Sequence, residues 1–199
     1  MIGNLSVCTG GTPVKAGCRP WQRFVRMGLP ERCRREAGRE LRKEMMDKDP
    51  AKVRKDLKKL LQSQPLAVLS TQGRGQPYAS LVAFASSRDL RRLYFATSRS
   101  TRKYANILGD SRVAMLADNR SNTVSDFRWA TAATATGRAV EVEAGARDEA
   151  SKLFLAKHPD LEKFIQSPGC ALCEIRVETY FVVTRFQSVV EVPVRKANR

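Results

Sequence analysis

Residues 94–108 read YFATSRSTRKYANIL and join an apolar run to a helical pattern through a polar, basic turn. The first three residues are typical of a buried strand, because aromatic and apolar runs of this length favour strands. From Thr101 onward, apolar residues recur at the spacing of one helix face. We therefore expect a strand that leads directly into a short helix. The turn between them holds four hydroxyl and three basic residues: Thr97, Ser98, Ser100, Thr101, Arg99, Arg102 and Lys103.

This junction carries the chemical groups of an anion site. The first N–H groups of a helix lack partners within the helix, and the helix dipole favours negative charge there. Ser98, Ser100 and Thr101 can add hydroxyl donors, while Arg102 offers a fork of donors and Lys103 a point charge. The residues therefore predict a phosphate site. A solvated basic turn, with a serine or threonine as the helix cap, fits the same residues.

Strand patterns lie on both sides of the junction. Apolar runs separated by short turns predict an antiparallel meander before it, and longer alternating runs follow it, one of them with a bend or bulge at Gly137. Helical patterns flank the strands. About six strands with few helices predict a mainly β protein, a six-stranded antiparallel barrel with flanking helices. The predicted strands are 66–71, 77–86, 93–97, 111–118, 128–143, 170–187 and 189–194, and the helices are 50–64, 101–110 and two segments within 145–165.

The basic charge is unevenly distributed along the chain. The net charge is +16 over 199 residues, and residues 1–44 carry much of it without a clear amphipathic pattern. We interpret residues 1–44 as a basic N-terminal extension, either disordered or a start-site artefact, and residues 45–199 as the folded domain. A basic arm that binds nucleic acid or a membrane is the alternative.

Few residues suggest other site chemistry. The five cysteines are an odd number without a signal-peptide pattern, which favours reduced thiols and a cytoplasmic location. Cys170 and Cys173 lie on a predicted strand and would point to opposite faces, so we interpret them as core residues and predict no metal site. His158, the single histidine, is expected on the surface at a helix end. No apolar run is long enough to span a membrane. Because no catalytic side chain can be assigned, a cofactor would have to carry any redox chemistry.

The order of these segments resembles a known family. PYASLVAF (77–84), LYFATSRSTRK (93–103), NIL (106–108) and RVAML (112–116) together are similar to the pyridoxamine 5′-phosphate oxidase-like family of FMN-binding split barrels. The resemblance covers about residues 50 to 192. It implies a split barrel, FMN as the cofactor, and a homodimer with the flavin in the cleft between the subunits.

The resemblance also implies particular site residues. One strand would run beside the flavin, partly through its backbone, and the junction would bind the FMN phosphate. The polar loop at 118–129 would approach the cleft, although its tryptophan could equally anchor the core or the dimer interface. The resemblance implies Ser80, Leu81 and Val82 beside the flavin, Ala96, Thr97, Thr101, Arg102 and Lys103 around the phosphate, and Asn122 and Trp129 as weaker candidates on the loop. Ser98 joins the predicted cofactor-binding residues as a hydroxyl donor of the junction.

Two departures separate this chain from true pyridoxamine phosphate oxidases. Those enzymes carry an arginine at about the position of Ser80, and they end in a segment with tryptophan and arginine that helps to hold the substrate. The last segment here, 186–199, has no tryptophan. The resemblance therefore supports the cofactor better than it supports the vitamin substrate.

Three functions remain open from the sequence. The first is an FMN-dependent oxidoreductase that uses a small-molecule substrate or electron donor. The second is a flavin-binding protein without turnover, such as a carrier, sensor or electron-transfer partner. The third, a nucleic-acid-binding barrel, is least favoured, because aromatic residues such as Tyr94 and Phe181 fall in apolar runs instead of alternating with basic residues. Deazaflavin or haem could replace FMN in relatives of this fold.

Overall fold

The computed structural model describes residues 49–184 and 188–194, and the predicted extension at 1–44 lies outside them. This part of the chain forms seven strands, five α-helices and one 3-10 turn. None of these helices is both long and apolar enough to cross a bilayer. The strands are β1 (Leu66–Gly73), β2 (Gln76–Ser86), β3 (Arg92–Ser98), β4 (Arg112–Asp118), β5 (Thr131–Glu141), β6 (Cys170–Thr184) and β7 (Ser188–Pro193). The helices are α1 (Pro50–Ser63), α2 (Arg102–Gly109), α3 (Asp126–Trp129), α4 (Ala144–Lys157) and α5 (Glu162–Gln166), with the 3-10 turn at Pro159–Leu161.

The strands close into a barrel. Their order is β3-β2-β1-β4-β5-β6-β7, and a further pairing between β3 and β6 joins the two sides of the sheet. All the pairings are antiparallel, and β7 lies outside the closed barrel on β6. The predicted six-stranded antiparallel barrel is therefore confirmed, with a seventh strand added to it.

The barrel wall is incomplete between β2 and β3. These strands pair only from Phe84 with Phe95 to Ser86 with Leu93, whereas β3 pairs with β6 along its whole length. Beyond Phe84 a gap opens between residues 80–83 of β2 and residues 96–98 of β3, and we call this gap the seam. The N–H of Phe84 donates to the carbonyl oxygen of Pro65, which directly precedes β1. Because backbone groups alternate in direction along a strand, those of Leu81 and Ala83 point away from β1 and into the seam.

A bulge shapes the opposite wall. The register of β5 against β6 shifts between Thr136 and Gly137, at the position where the sequence predicted a bend or bulge. A Cβ atom on Gly137 would overlap the backbone carbonyl oxygen of Arg176 and lie 3.1 Å from the Cα atom of Val177. Glycine is therefore required there by close backbone approach.

Helix α1 follows the predicted pattern. The Asp49 carboxylate accepts the N–H of Ala51 at 3.0 Å and caps the helix. At its other end, the Lys157 ammonium donates to the carbonyl oxygens of Leu61 and Gln64 at 2.8 and 2.6 Å. The predicted apolar face is buried, and it consists of Val53, Leu57, Leu60 and Leu61.

Two local expectations were wrong. Residues 128–130 were predicted to begin β5, but residues 126–129 form α3, because the Asp126 carboxylate accepts backbone N–H groups of Ser121 and Thr123 and winds the loop into a helical turn. His158 follows the last residue of α4, as expected, but it is half-buried instead of fully exposed. Its Nε2 lies 2.9 Å from the carbonyl oxygen of Phe84, which gives the ring a polar partner below α4. Both described cysteines are buried free thiols, as expected.

Candidate functional site

The junction after β3 is held by its own hydroxyl groups. Thr101 caps α2, since its Oγ1 accepts the N–H of Tyr104 at 3.4 Å. The same hydroxyl donates to the carbonyl oxygen of Ser98 at 2.8 Å and lies 3.0 Å from Thr97 Oγ1. Ser98 and Ser100 place their hydroxyls 2.8 Å apart. The hydroxyl residues therefore fix the shape of the turn, and the predicted short helix begins immediately after it.

The three cations of the junction differ in their surroundings. Two nitrogens of Arg99 donate to the Glu141 carboxylate, each at 2.5 Å, so this charge is neutralised. Arg102 is exposed, and its guanidinium carbon lies 5.0 Å from the centre of the Tyr78 ring. Neither Arg102 nor Lys103 forms an ion pair with another residue in 49–184 or 188–194. Two positive charges are thus left for an anion at the start of α2.

Glu141 also bonds to the first turn of α2. The Tyr104 hydroxyl donates to Glu141 at 2.7 Å and accepts from Arg99 at 2.9 Å. The hydrogen bond to Glu141 raises the pKa of the Tyr104 hydroxyl, and the Arg99 guanidinium lowers the pKa of Glu141. The three side chains therefore form one network that keeps the tyrosine neutral and the carboxylate ionised.

The predicted flavin residues of β2 lie on one edge of the seam but face different ways. Ser80 and Val82 point into the barrel, and the Ser80 hydroxyl oxygen is buried without a hydrogen-bond partner among the described residues. Leu81 points outward, and 62% of its surface is exposed. The backbone N–H and C=O groups of Leu81 and Ala83 point into the seam, because those of Phe84 point to β1.

The other edge of the seam leads into the junction. Ala96 faces outward toward α4, whereas Thr97 points into the barrel and is buried. The contact of Arg102 with Tyr78 joins the start of α2 back to β2. The structure therefore brings the predicted residues of β2, β3 and α2 together around one end of the seam: Ser80, Leu81, Val82, Ala96, Thr97, Ser98, Thr101, Arg102 and Lys103.

Asn122 and Trp129 do not join this group within one chain. They follow β4, whose last residues pair near the beginning of β1, whereas α2 packs near the end of β1. Trp129 is 72% exposed, so it is not a core anchor of the single chain. It lines a cavity of about 170 Å³ with Val53 of α1 and neighbouring residues. In the described part of the chain, no cluster of histidine, cysteine and acidic residues could hold a metal ion.

The sequence alone missed three residues of the site. Arg99 and Glu141 are 42 residues apart, and no local spacing indicates their pairing. From the sequence, Glu141 is expected to be an ordinary polar residue on the solvent-facing side of a strand. Tyr78 could have been found, because it lies two residues before Ser80 and therefore on the same strand face.

A known protein family matches the part of the chain that forms the barrel. The family model described as pyridoxamine 5′-phosphate oxidase matches residues 53–184, which include six of the seven strands and α2. The chain belongs to the pyridoxamine 5′-phosphate oxidase family. The match spans both edges of the seam and the basic junction, so the site described above lies inside the region that the family shares. A search of curated proteins finds no match.

Members of the pyridoxamine 5′-phosphate oxidase family and other solved proteins share this fold. A heme binding protein from Mycobacterium smegmatis superposes with a TM-score of 0.62 at 17% identity, over 68% of this chain and 55% of that protein. General stress protein 26 from Bacillus anthracis gives 0.53 at 20% identity, over 69% and 98%. A Clostridium acetobutylicum protein related to general stress protein 26, of the pyridoxinephosphate oxidase family, gives 0.57 at 13% identity, over 73% and 96%. At these identities the likeness concerns the fold alone.

Proposed function

We propose that this protein binds FMN and acts as an oxidoreductase on a small substrate or electron donor. The observation that carries the proposal is a pair of cations, Arg102 and Lys103, at the N-terminus of α2 and beside the seam, which form no ion pair within residues 49–184 and 188–194. A phosphate monoester brings about two negative charges at neutral pH. Because Glu141 neutralises Arg99, the two remaining cations match that charge.

The seam suits a flat, polar-edged ring. The backbone groups of Leu81 and Ala83 point into it, and they offer both donors and acceptors to the pyrimidine edge of a flavin. The Ser80 hydroxyl, which has no hydrogen-bond partner among the described residues, adds a buried polar group on the barrel side of the same strand. When bound there, FMN would supply the electron-transfer chemistry. The described residues of the chain would bind the phosphate, orient the ring and limit its contact with water.

A flavin fits this chain better than a histidine-ligated haem. The sequence has a single histidine, His158. Its Nε2 lies 2.9 Å from the carbonyl oxygen of Phe84, and its ring packs 4.8 Å from the ring of Phe154. This histidine is therefore already engaged by a backbone carbonyl and an aromatic ring. Deazaflavin shares the phosphate and the polar ring edge with FMN, and the absorption spectrum separates the two.

The proposal includes a homodimer. On the outer face of the barrel, four residues on adjacent strands lie in one row. They are Leu81 of β2, Val68 of β1, Leu116 of β4 and Thr134 of β5. This row begins at the seam, and its first residue is 62% exposed. A second copy packed two-fold on the row would bury it and close the outer side of the seam. The loop with Asn122 and Trp129 would then be placed to reach the partner's seam.

The cellular setting belongs to the same proposal. Both described cysteines, Cys170 and Cys173, are free thiols. Burial raises the pKa of both thiols, so they are inert side chains of the core. Free cysteines suit a reducing compartment, and we therefore place the protein in the cytoplasm. A flavin-binding protein without turnover is the alternative function, since no described side chain is identified as catalytic.

The proposal is tested by flavin titration. Purified protein should show flavin absorption bands, and FMN should bind the wild type much more tightly than the Arg102→Ala, Lys103→Ala double variant. Each charge-assisted hydrogen bond contributes about 1.5 to 3 kcal/mol, so losing both should weaken binding by about 100-fold or more. The matched control is Lys58→Ala, Lys59→Ala, which removes the same charge from an exposed part of α1.

Each outcome has a definite meaning. Full FMN affinity in the Arg102, Lys103 variant would refute the placement of the site, and equal losses in the control would reduce it to an effect of net charge. Protein that neither carries nor takes up FMN would refute the cofactor. Turnover with a panel of reductants and acceptors then separates an oxidoreductase from a flavin-binding protein that does no chemistry.

A further inference from the structure

Two contacts anchor the basic junction to the barrel wall, one through the backbone and one through a carboxylate. The backbone N–H of Arg99 donates to the carbonyl oxygen of Gly169 at 2.9 Å, which holds the chain beside β6. On the other side, Glu141 accepts two hydrogen bonds from Arg99 and one from the Tyr104 hydroxyl. Arg99 precedes Arg102 and Lys103 in the junction, and Tyr104 follows them. The carboxylate therefore spans the segment that carries Arg102 and Lys103.

Glu141 is itself rigidly placed. It is the last residue of β5 and pairs with Cys173 of β6, within the part of β6 that also pairs with β3. Its side chain is 28% exposed, compared with 42% for Arg99. Tyr104 is buried, so the α2 end of this connection is anchored in the core. The network thus transmits the position of the barrel wall to the first turn of α2.

Helix α2 needs such support because it is only eight residues long. Short helices are marginal by themselves and depend on tertiary contacts for their position. The two cations can bind one phosphate together only if the first turn of the helix stays where it is. A fork-to-fork pair between arginine and a carboxylate adds geometric specificity as well as binding energy.

We infer that Glu141 is a positioning residue, which with Arg99 and Tyr104 sets the first turn of α2 so that Arg102 and Lys103 can share one phosphate. This inference rests on the proposed function, in which FMN places its phosphate at that turn. Glu141 touches no ligand in this role. Its effect should therefore depend on whether the ligand has a phosphate, and riboflavin, which has the same ring system without the phosphate, is the appropriate probe.

The test compares FMN and riboflavin on Glu141→Gln. The amide keeps the size of the side chain but cannot accept both hydrogen bonds of the Arg99 fork. FMN affinity should fall roughly tenfold, and riboflavin affinity should change by less than about twofold. Tyr104→Phe, which removes one hydroxyl, should give a smaller loss in the same direction. Glu143→Gln is the matched control, since Glu143 is exposed and makes no side-chain hydrogen bond to cap α4.

Fluorescence titration of each protein with both flavins gives the ratio of FMN affinity to riboflavin affinity. If Glu141→Gln keeps the wild-type ratio of FMN to riboflavin affinity, the inference is overturned. Tighter FMN binding would overturn it too, because a released Arg99 would then be a phosphate ligand. If the wild type binds FMN and riboflavin with equal affinity, the proposed phosphate site is refuted, and this inference is refuted with it. Melting curves check folding, and Tyr104→Phe supplies the same comparison if Glu141→Gln does not fold.

Discussion

Replacing Gly137 with alanine should destabilise the barrel strongly. The added Cβ would overlap the carbonyl oxygen of Arg176 and lie 3.0 Å from the carbon of the same carbonyl group. Both are backbone atoms of β6, so no side-chain rotation can relieve the overlap, and β5 must move away from β6 at the bulge. Overpacking of this kind costs typically about 1 to 3 kcal/mol, and a backbone obstacle places Gly137→Ala at the upper end.

The expected cost of about 3 kcal/mol can be measured by chemical and thermal denaturation. For a domain of this size, each kcal/mol lowers Tm by about 2 to 4 °C, so we expect a fall of roughly 6 to 12 °C. Gly145→Ala is the matched control. Gly145 lies in the first turn of α4 with open space around its Cβ position, and alanine is the better helix former. A Gly137→Ala protein as stable as the Gly145→Ala protein would refute the account of the bulge.

Three further predictions concern pH, domain limits and assembly. Burial lowers the pKa of Lys157 to about 8. The native state therefore loses this proton at a lower pH than the unfolded chain does. The unfolding free energy of the wild type should rise relative to that of Lys157→Met between about pH 8 and 10. Denaturant titrations in which the difference between the two proteins stays constant over this range would contradict the prediction. A chain that begins at Met46 should keep its Tm and its bound FMN, and a large loss of either in calorimetry or absorption would show that the removed residues belong to the domain. Leu81→Lys places a charge on the outer row and should shift sedimentation from dimer to monomer, whereas an unchanged dimer would exclude that face as the interface.

Most elements of the fold could be predicted because their signals are local. The strand and helix patterns, the cap at Asp49 and the bulge at Gly137 are set by residues close together in sequence. Closure of the barrel could not be predicted in the same way. It depends on pairs such as Leu93 with Ile175, which are far apart in the chain and have no spacing signal.

The candidate site also has some features that the sequence predicts and others that only the structure reveals. The basic junction is contiguous, so its hydroxyls and cations could be recognised from the sequence. The directions of Ser80 and Leu81 could not, because β2 carries apolar residues in both alternating phases and the barrel decides which phase faces inward. The neutralisation of Arg99 by Glu141 depends on tertiary structure alone. It changes the interpretation of the junction from three available cations to two.

The length of β6 has a consequence for how the protein folds. This strand of 15 residues pairs with β3, β5 and β7, so it is the element that joins the two sides of the sheet. During synthesis, β1 to β5 emerge first and leave β3 and β5 as open edges until β6 follows. Long-range strand pairing of this kind is slow, and exposed edges are prone to wrong partners. The barrel therefore cannot close before β6 is present, and a truncated chain that ends before residue 170 would leave β3 and β5 as open, aggregation-prone edges.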